Sequence, residues 1–458
     1  MGYVAFFTHW LLRTHYGFST FSFDLGIFEQ GVWLLSRFKD PFVTVRGLDL
    51  FGDHTSFILL LLVPFYWVSS STSMLLIAQT VALGVAAVPA WLIARYKLRS
   101  EILALGVAVA YLAHPSVGLT NLENFHPDTF EIPLVFGVFY FMMQRRWIGY
   151  GLCVVALLAV KEDVPLMTFA LGLYVAVRYD RRVGIATSVL SAAWLASILF
   201  MIFPALNGAG TLYAWRIPTA EFGGTGGLIK TAFLRPWELV SFALGPDKPW
   251  YVWQMSVPLA GLFLLAPGMA LIALLPLLSN LLSTFWYQYH IEYHYGTLIV
   301  PVLVTAAIFG IARFRSHNMR TGLVALMTTA ALCSAYLWGP VGRAPRTLAD
   351  PASTRSATIR KAIELIPEDA TVSAAYFTVP HLAHREHIYE FPVPWHARNW
   401  GDASQEGERL PRAELVDYVL VEEPMEPRFQ EIVDSLDEEG FSSIFRGEGI
   451  VLLRREPG

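Results

Sequence analysis

Two acidic signals stand close together near the start of this chain. Asp24 and Glu29 lie in FSFDLGIFEQGVW, and Asp53 and His54 lie in GDHTSF. Carboxylates beside strongly apolar stretches are costly unless they face water or a partner. Asp24 has two readings. It is either the N-cap of a helix that begins there, or a general base that takes the proton from an attacking hydroxyl. Glu29, five positions on, is a poor match for the same helix face. Asp53 and His54 either start a helix or together hold a divalent cation or steer a phosphate. A helix cap needs only the aspartate, which leaves His54 to be accounted for.

Further along, NLENFHPDTFEIP sets Glu123, His126, Asp128 and Glu131 at a helix entrance. Asp128 follows a proline and suits a first helical turn. Glu123 and His126 need another reason. Joined to Asp53 and His54, they have the ligand types of a metal site, expected over Asp53, His54 and His126 with Mg or Mn as the cation. They show no spacing of the zinc-protease kind. The KED motif places Lys161, Glu162 and Asp163 between two apolar runs. It is either a solvated turn ahead of Pro165 or a group in which Lys161 binds phosphate as a point charge. WYQYHIEYHYG interleaves aromatics with His290, Glu292 and His294. An interfacial belt explains the tyrosines; stacking on a sugar ring would also use Tyr289, His290, Glu292 and His294. The trio His381, His384 and His387 reads as ordinary surface and interface histidines.

These motifs must be positioned by membrane helices. The chain of 458 residues is 55% hydrophobic and 15% charged, with mean hydropathy +0.47. Runs such as 73–94 are long enough to cross about 30 Å of hydrocarbon. That composition excludes an ordinary soluble protein. Both cysteines, Cys153 and Cys333, sit in apolar segments, so no structural disulfide is expected. No basic n-region marks a cleavable signal peptide. The opening MGYVAFFTHWLL is too short to span, as if half of a first helix lay upstream or the segment inserted shallowly.

Charge is unevenly spread. Residues 350–458 carry 21 acidic and 11 basic side chains, a net −10, and the rest of the chain nets +6. Basic clusters recur at Arg95, Lys97 and Arg99, at Arg145 and Arg146, at Arg178, Arg181 and Arg182, and at Arg313, Arg315 and Arg320. The positive-inside rule puts all four on the cytoplasmic side. The outer segments are then 13–53, 114–127, the turn 161–163, 207–250, 285–295 and everything after 340. Every acidic or histidine-rich motif falls there. In this scheme 56–68 is an interfacial helix, and 251–284 makes two short helices with a turn near Pro267. About eleven membrane helices are expected. The tail is expected to be a small α/β domain: strands at 370–377 and 417–423, a helix at 428–440 and a closing hairpin. The domains are thus 1–340 in the membrane and 350–458 outside it.

FDLGIFEQGVW, GDHTSFILLLLVPFY, NLENFHPD and VKEDVPL, in this order, resemble a family of bacterial and archaeal polytopic membrane proteins, domain of unknown function 2079 (DUF2079). The resemblance covers most of 17–400. The layout is also similar to the C-type (GT-C) glycosyltransferases, with an acidic motif and juxtamembrane helices in a large first outer loop. That resemblance implies a plasma-membrane enzyme of the cell envelope that moves sugar from a polyprenyl-phosphate carrier to a glycan, lipid or protein acceptor. It matches Asp24 to the first-loop acid and Asp53 and His54 to the start of the second juxtamembrane helix; Lys161 matches carrier-phosphate contacts only loosely. Membrane lipid is an expected partner and nucleic acid is not. The alternative is a non-enzymatic transporter or lipid-binding protein whose acids form a substrate or proton path. It lacks the visible repeat that many transporters show.

Overall fold

The computed structural model describes residues 1–208, 212–342, 350–401 and 403–456. The chain divides into two compact units. One comprises Met1–Phe7, His54–Ile58 and Gln79–Arg346; the other comprises Thr8–Asp53, Leu59–Ala78 and Thr347–Gly458. This differs from the split expected at 340–350. The first outer loop does not group with the membrane helices around it in sequence, because its polar groups are satisfied by the tail. Of the expected linker, 340–354, residues 343–349 fall outside the described residues.

The first unit is helical. Among the described residues, Met74–Leu98, Arg181–Asn207, His294–Ile311 and His317–Leu337 are long and apolar enough to cross a membrane. Glu101–Leu112 and Pro115–Leu122 join them as one span bent by 46°. The bend falls where Pro115 removes a backbone donor and pushes His114 into an extended conformation. Trp147–Leu158, Val164–Arg178 and Pro267–Leu281 are apolar but shorter. The count therefore stands at four or five long spans and three short apolar helices, against the eleven expected. Much of the difference lies where apolar sequence breaks up. The stretch 251–284 turns twice, at Ala260 and Gly261, both with positive φ, and at Ala266 ahead of Pro267.

Small residues set the tightest packing. A Cβ on Gly172 would lie 2.3 Å from Ser188 Oγ, and one on Gly184 would lie 2.1 Å from the Ala176 nitrogen. The hairpin of Val164–Arg178 and Arg181–Ser197 therefore closes backbone to backbone, as membrane helices with small contact residues do. Asp180 starts the second helix by accepting from Arg182 N–H and Val183 N–H at 2.9 and 3.0 Å.

The second unit holds a five-stranded sheet. Ile388–Glu390, Val372–Ala374 and Tyr418–Glu422 run parallel; Ile450–Arg455 and Phe441–Gly447 add antiparallel strands. Glu448 and Gly449, both with positive φ, make the tight hairpin turn. The strand, helix and hairpin pattern expected of the tail is present, its strands shorter than the apolar runs suggested. The first loop docks on the sheet edge. Thr44 Oγ1 donates to Ile388 O at 2.8 Å and accepts from Ile388 N–H at 2.9 Å. Gln30 Nε2 donates to Thr44 Oγ1 and to Glu386 O. The sheet's open edge is thus covered by side chains of the first loop. Residues 56–68 form two short helical turns, Phe57–Leu61 and Val63–Tyr66, with Leu60, Leu61, Phe65 and Trp67 exposed, a shape suited to an interface.

Candidate functional site

The first unit gathers most of the chemistry around the turn at 159–163. Leu158 ends one helix, Pro165 opens the next without needing a donor, and Lys161, Glu162 and Asp163 lie between. The segment His54–Ile58 is laid along this turn. Ile58 N–H donates to Ala159 O at 2.8 Å, and Thr55 N–H donates to Glu162 Oε2 at 3.3 Å. His54 Nδ1 lies 2.7 Å from Glu162 Oε1, and its ring stacks on Tyr213 at 4.8 Å. Burial would raise the Glu162 carboxyl, but the His54 charge and hydrogen bond, with Lys161, outweigh it and bring it down to about 2.

Lys161 Nζ donates to Asp128 Oδ1 at 2.8 Å, both groups buried. Burial works against its charge, yet Asp128 and Asp163 hold the ammonium well above its ordinary value. Burial, with Asp128 and Glu162 nearby, pushes Asp163 up to about 6 although Lys161 pulls it down. Asp128, Glu131 and Asp163 line a small cavity with Asn280, Tyr295 and Thr297. Thr297 Oγ1 donates to Glu131 Oε2 at 2.7 Å.

Glu123, His126 and His294 form a second group. His294 Nδ1 lies 3.2 Å and His126 Nε2 3.5 Å from Glu123 Oε2. The two rings stack at 3.8 Å. The buried Gln79 shapes this loop: its Nε2 donates to Asn121 O at 2.9 Å and to Asn124 O, and its Oε1 accepts from His126 N–H at 3.1 Å. Asn124 takes the left-handed φ that the turn requires.

A third feature was not foreseen from the sequence. Four rings surround the Arg216 guanidinium: Tyr213 at 4.1 Å, Phe285 at 4.6 Å, Trp215 at 5.5 Å and Tyr295 at 6.0 Å. Nη1 donates to Tyr295 OH at 3.2 Å, while Nε is buried without a partner. Among the described residues no carboxylate forms an ion pair with it. Tyr295 also lies 5.2 Å from Lys161 Nζ, so one ring adjoins both cations. The only signal in the sequence was an isolated arginine among aromatics, in LYAWRIP.

The aromatic stretch divides. His294 joins the Glu123 group, whereas His290 Nδ1 bonds the Trp286 carbonyl at 2.7 Å and Tyr289 lies 5.0 Å from Lys248 Nζ. Glu292 is half-buried. The metal trio expected, Asp53, His54 and His126, is replaced as a ligand-spaced cluster by Glu123, His126 and His294. The physical reason is that His54 is taken up by Glu162 and Tyr213, and Asp53 faces Arg46 at 3.8 Å within the second unit.

In that second unit neither early aspartate begins a helix. Helix Ile27–Ser36 has Gly26 at its N-cap. Asp24 lies before it at φ 66°, ψ −83°, a strained backbone for an L residue. Asp53 ends the short helix Leu50–Asp53, whose N–H groups are capped by Asp49 instead. Glu29, fully buried, meets His384 Nε2 at 2.7 Å. Burial raises its pKa against the pull of His384 and Tyr66. The three tail histidines part company: His381 stacks on His15 and His384 pairs with Glu29, while His387 is half-buried.

Apolar spans, a buried polar cluster at helix entrances and a sheet-bearing unit tied to the first loop define a multi-pass membrane protein. A crystal structure of ArnT from Cupriavidus metallidurans bound to undecaprenyl phosphate superposes with a TM-score of 0.56 at 13% identity, covering 100% of this chain and 99% of that one. The apo state of the same protein gives 0.54 at 14% identity over 100% and 99%. The chain belongs to the family of predicted membrane proteins DUF2079, whose model matches residues 14–443. No curated protein matches it.

Proposed function

We propose that the protein is an integral-membrane glycosyltransferase that takes its sugar from a polyprenyl-phosphate carrier. The observation that carries this reading is Arg216, a guanidinium facing four rings and in no ion pair among the described residues, which shares the ring of Tyr295 with Lys161. A half-buried guanidinium among aromatic faces, its Nε enclosed and unpartnered, is suited to receive an anion, and arginine matches phosphate oxygens. The bound undecaprenyl phosphate of ArnT supports the same ligand class for a chain of this fold. In the reaction an acceptor hydroxyl attacks the anomeric carbon. The carbon–oxygen bond to phosphate breaks, polyprenyl phosphate departs, and a base takes the hydroxyl proton. Arg216 and Lys161 stabilise the charge gathering on the departing phosphate. Asp24 is the proposed base, the first-loop acid held at φ 66° ahead of helix Ile27–Ser36.

The test is turnover in detergent with a panel of radiolabelled polyprenyl-phosphate sugars. Release of polyprenyl phosphate by wild type, lost in Asp24→Asn, is the expected outcome. Turnover that survives Asp24→Asn would remove that residue as base. Failure to bind every donor would sink the transferase reading in favour of a transporter or lipid-binding protein.

A further inference from the structure

We infer that Glu123, His126 and His294 form a zinc site. Their ligand atoms all lie within 4.8 Å of one another, and two imidazole nitrogens aim at one carboxylate oxygen, at 3.2 and 3.5 Å. Tetrahedral zinc with bonds of about 2.0–2.1 Å separates its ligand atoms by about 3.3 Å. Two of the three separations, those to Glu123 Oε2, already have nearly that spacing. Two imidazoles and one carboxylate are the donor set of a borderline cation. Magnesium and calcium favour oxygen-only cages, so the magnesium expected from sequence is the wrong class for this trio.

The surroundings fit as well. His294 Nε2, the nitrogen that faces away from Glu123, lies 3.9 Å from Asp128 Oδ1. Lys161 Nζ lies 3.5 Å from the same nitrogen; Asp128 is thus a neighbouring carboxylate of the kind that orients ligating histidines, one short movement from hydrogen-bond distance. Asp128 is fixed in turn by Lys161 at 2.8 Å. The ligands come from three places in the chain: the end of Pro115–Leu122, the loop shaped by Gln79, and the entrance to Ile299–Ile311. A cation here would clamp a loop to a helix entrance within the first unit, and three protein ligands leave a fourth position for water or a ligand.

The experiment uses the full-length chain in detergent, stripped with chelator, reloaded with zinc chloride and desalted. Metal content is read by mass spectrometry and thermal unfolding is followed with and without metal. About one zinc per chain should be retained, and zinc should raise the unfolding temperature while magnesium leaves it unchanged. His126→Gln and His294→Gln should each lose the zinc and its thermal shift, yet unfold in chelator at the wild-type temperature. His384→Gln, from the other histidine–glutamate pair, should keep its zinc. Cobalt substitution gives a second readout, a tetrahedral visible absorption present in wild type and absent from His294→Gln. Zinc retained by the His126→Gln, His294→Gln double variant, or wild type that retains none, overturns the assignment; an equal shift with magnesium overturns the choice of cation. No turnover enters these readouts, so the site and the transferase reading fail separately.

Discussion

Each unit contains a histidine–glutamate pair of the same length, 2.7 Å, and the two pairs behave oppositely. His54–Glu162 leaves its carboxyl depressed to about 2; His384–Glu29 leaves its carboxyl raised. The difference is not the bond but what else surrounds it. Glu162 is 16% exposed and also receives Thr55 N–H and the charge of Lys161. Glu29 is 0% exposed and has only His384 and Tyr66 against its desolvation. A contact distance therefore does not reveal which protonation state a site stores; the neighbouring charges do. The contrast extends to the units. In the second, Arg385 closes on the carbonyls of Leu382, Pro367 and Ala370, and the part-exposed Arg355 pairs with Glu422. In the first, Arg216 is in no ion pair among the described residues, which is how a receptor differs from a brace.

The largest effect expected comes from removing the cation that holds the first unit's acids together. Lys161→Met strands Asp128 in the interior, a loss of about 3–5 kcal/mol for a broken buried pair. Denaturant unfolding in detergent reads it. The double variant Lys161→Met, Asp128→Leu should recover much of that loss, because no uncompensated charge remains. If the double variant is as unstable as the single, the pair is not the unit that holds the turn.

Arg216 sharpens the contrast in the other direction. Arg216→Leu keeps the aromatic box filled and breaks no ion pair, so folding stability should change by less than about 1 kcal/mol. Affinity for polyprenyl phosphate, titrated in detergent, should fall by about 10- to 100-fold, as expected for charge-assisted hydrogen bonds of about 1.5–3 kcal/mol. A large loss of stability with affinity intact would make Arg216 a brace like Arg355.

How much of this was legible in sequence follows from range. Apolar length announced the spans, and alternation with turn residues announced the tail's strands, because both are local signals. KED and NLENFHPD stood out as charges where charge is costly, and the structure brings Lys161, Asp128, Glu123 and His126 into neighbouring contacts. What stayed hidden was long-range. Glu29 meets His384 across 355 positions, and the first loop groups with the tail because Thr44 and Gln30 satisfy a sheet edge no local pattern reveals. Asp49 took the capping role assigned to its neighbours. Arg216 was passed over since a single arginine beside tryptophan reads as a surface residue until the rings are seen around it. Gln79 carried a weak signal, one amide in an otherwise apolar run.

The two glutamates themselves give the smallest and most discriminating test. Glu162 is depressed from 4.5 to about 2. Its contribution is fully present above 4.5, where the unfolded chain's carboxyl is ionised, and is lost as pH falls towards 2. Glu29 is raised above 4.5. Its contribution is fully present below 4.5 and is lost as pH rises, because ionisation is easier in the unfolded chain. Glu162→Gln should therefore flatten the acid limb of a stability–pH curve between about 4.5 and 2. Glu29→Gln should flatten a decline that begins near 4.5 and runs upward. Unfolding in detergent at closely spaced pH values, wild type against each variant, separates the limbs. If both variants flatten the same limb, the bond length governs after all, and the environment-based account of the two pairs is wrong.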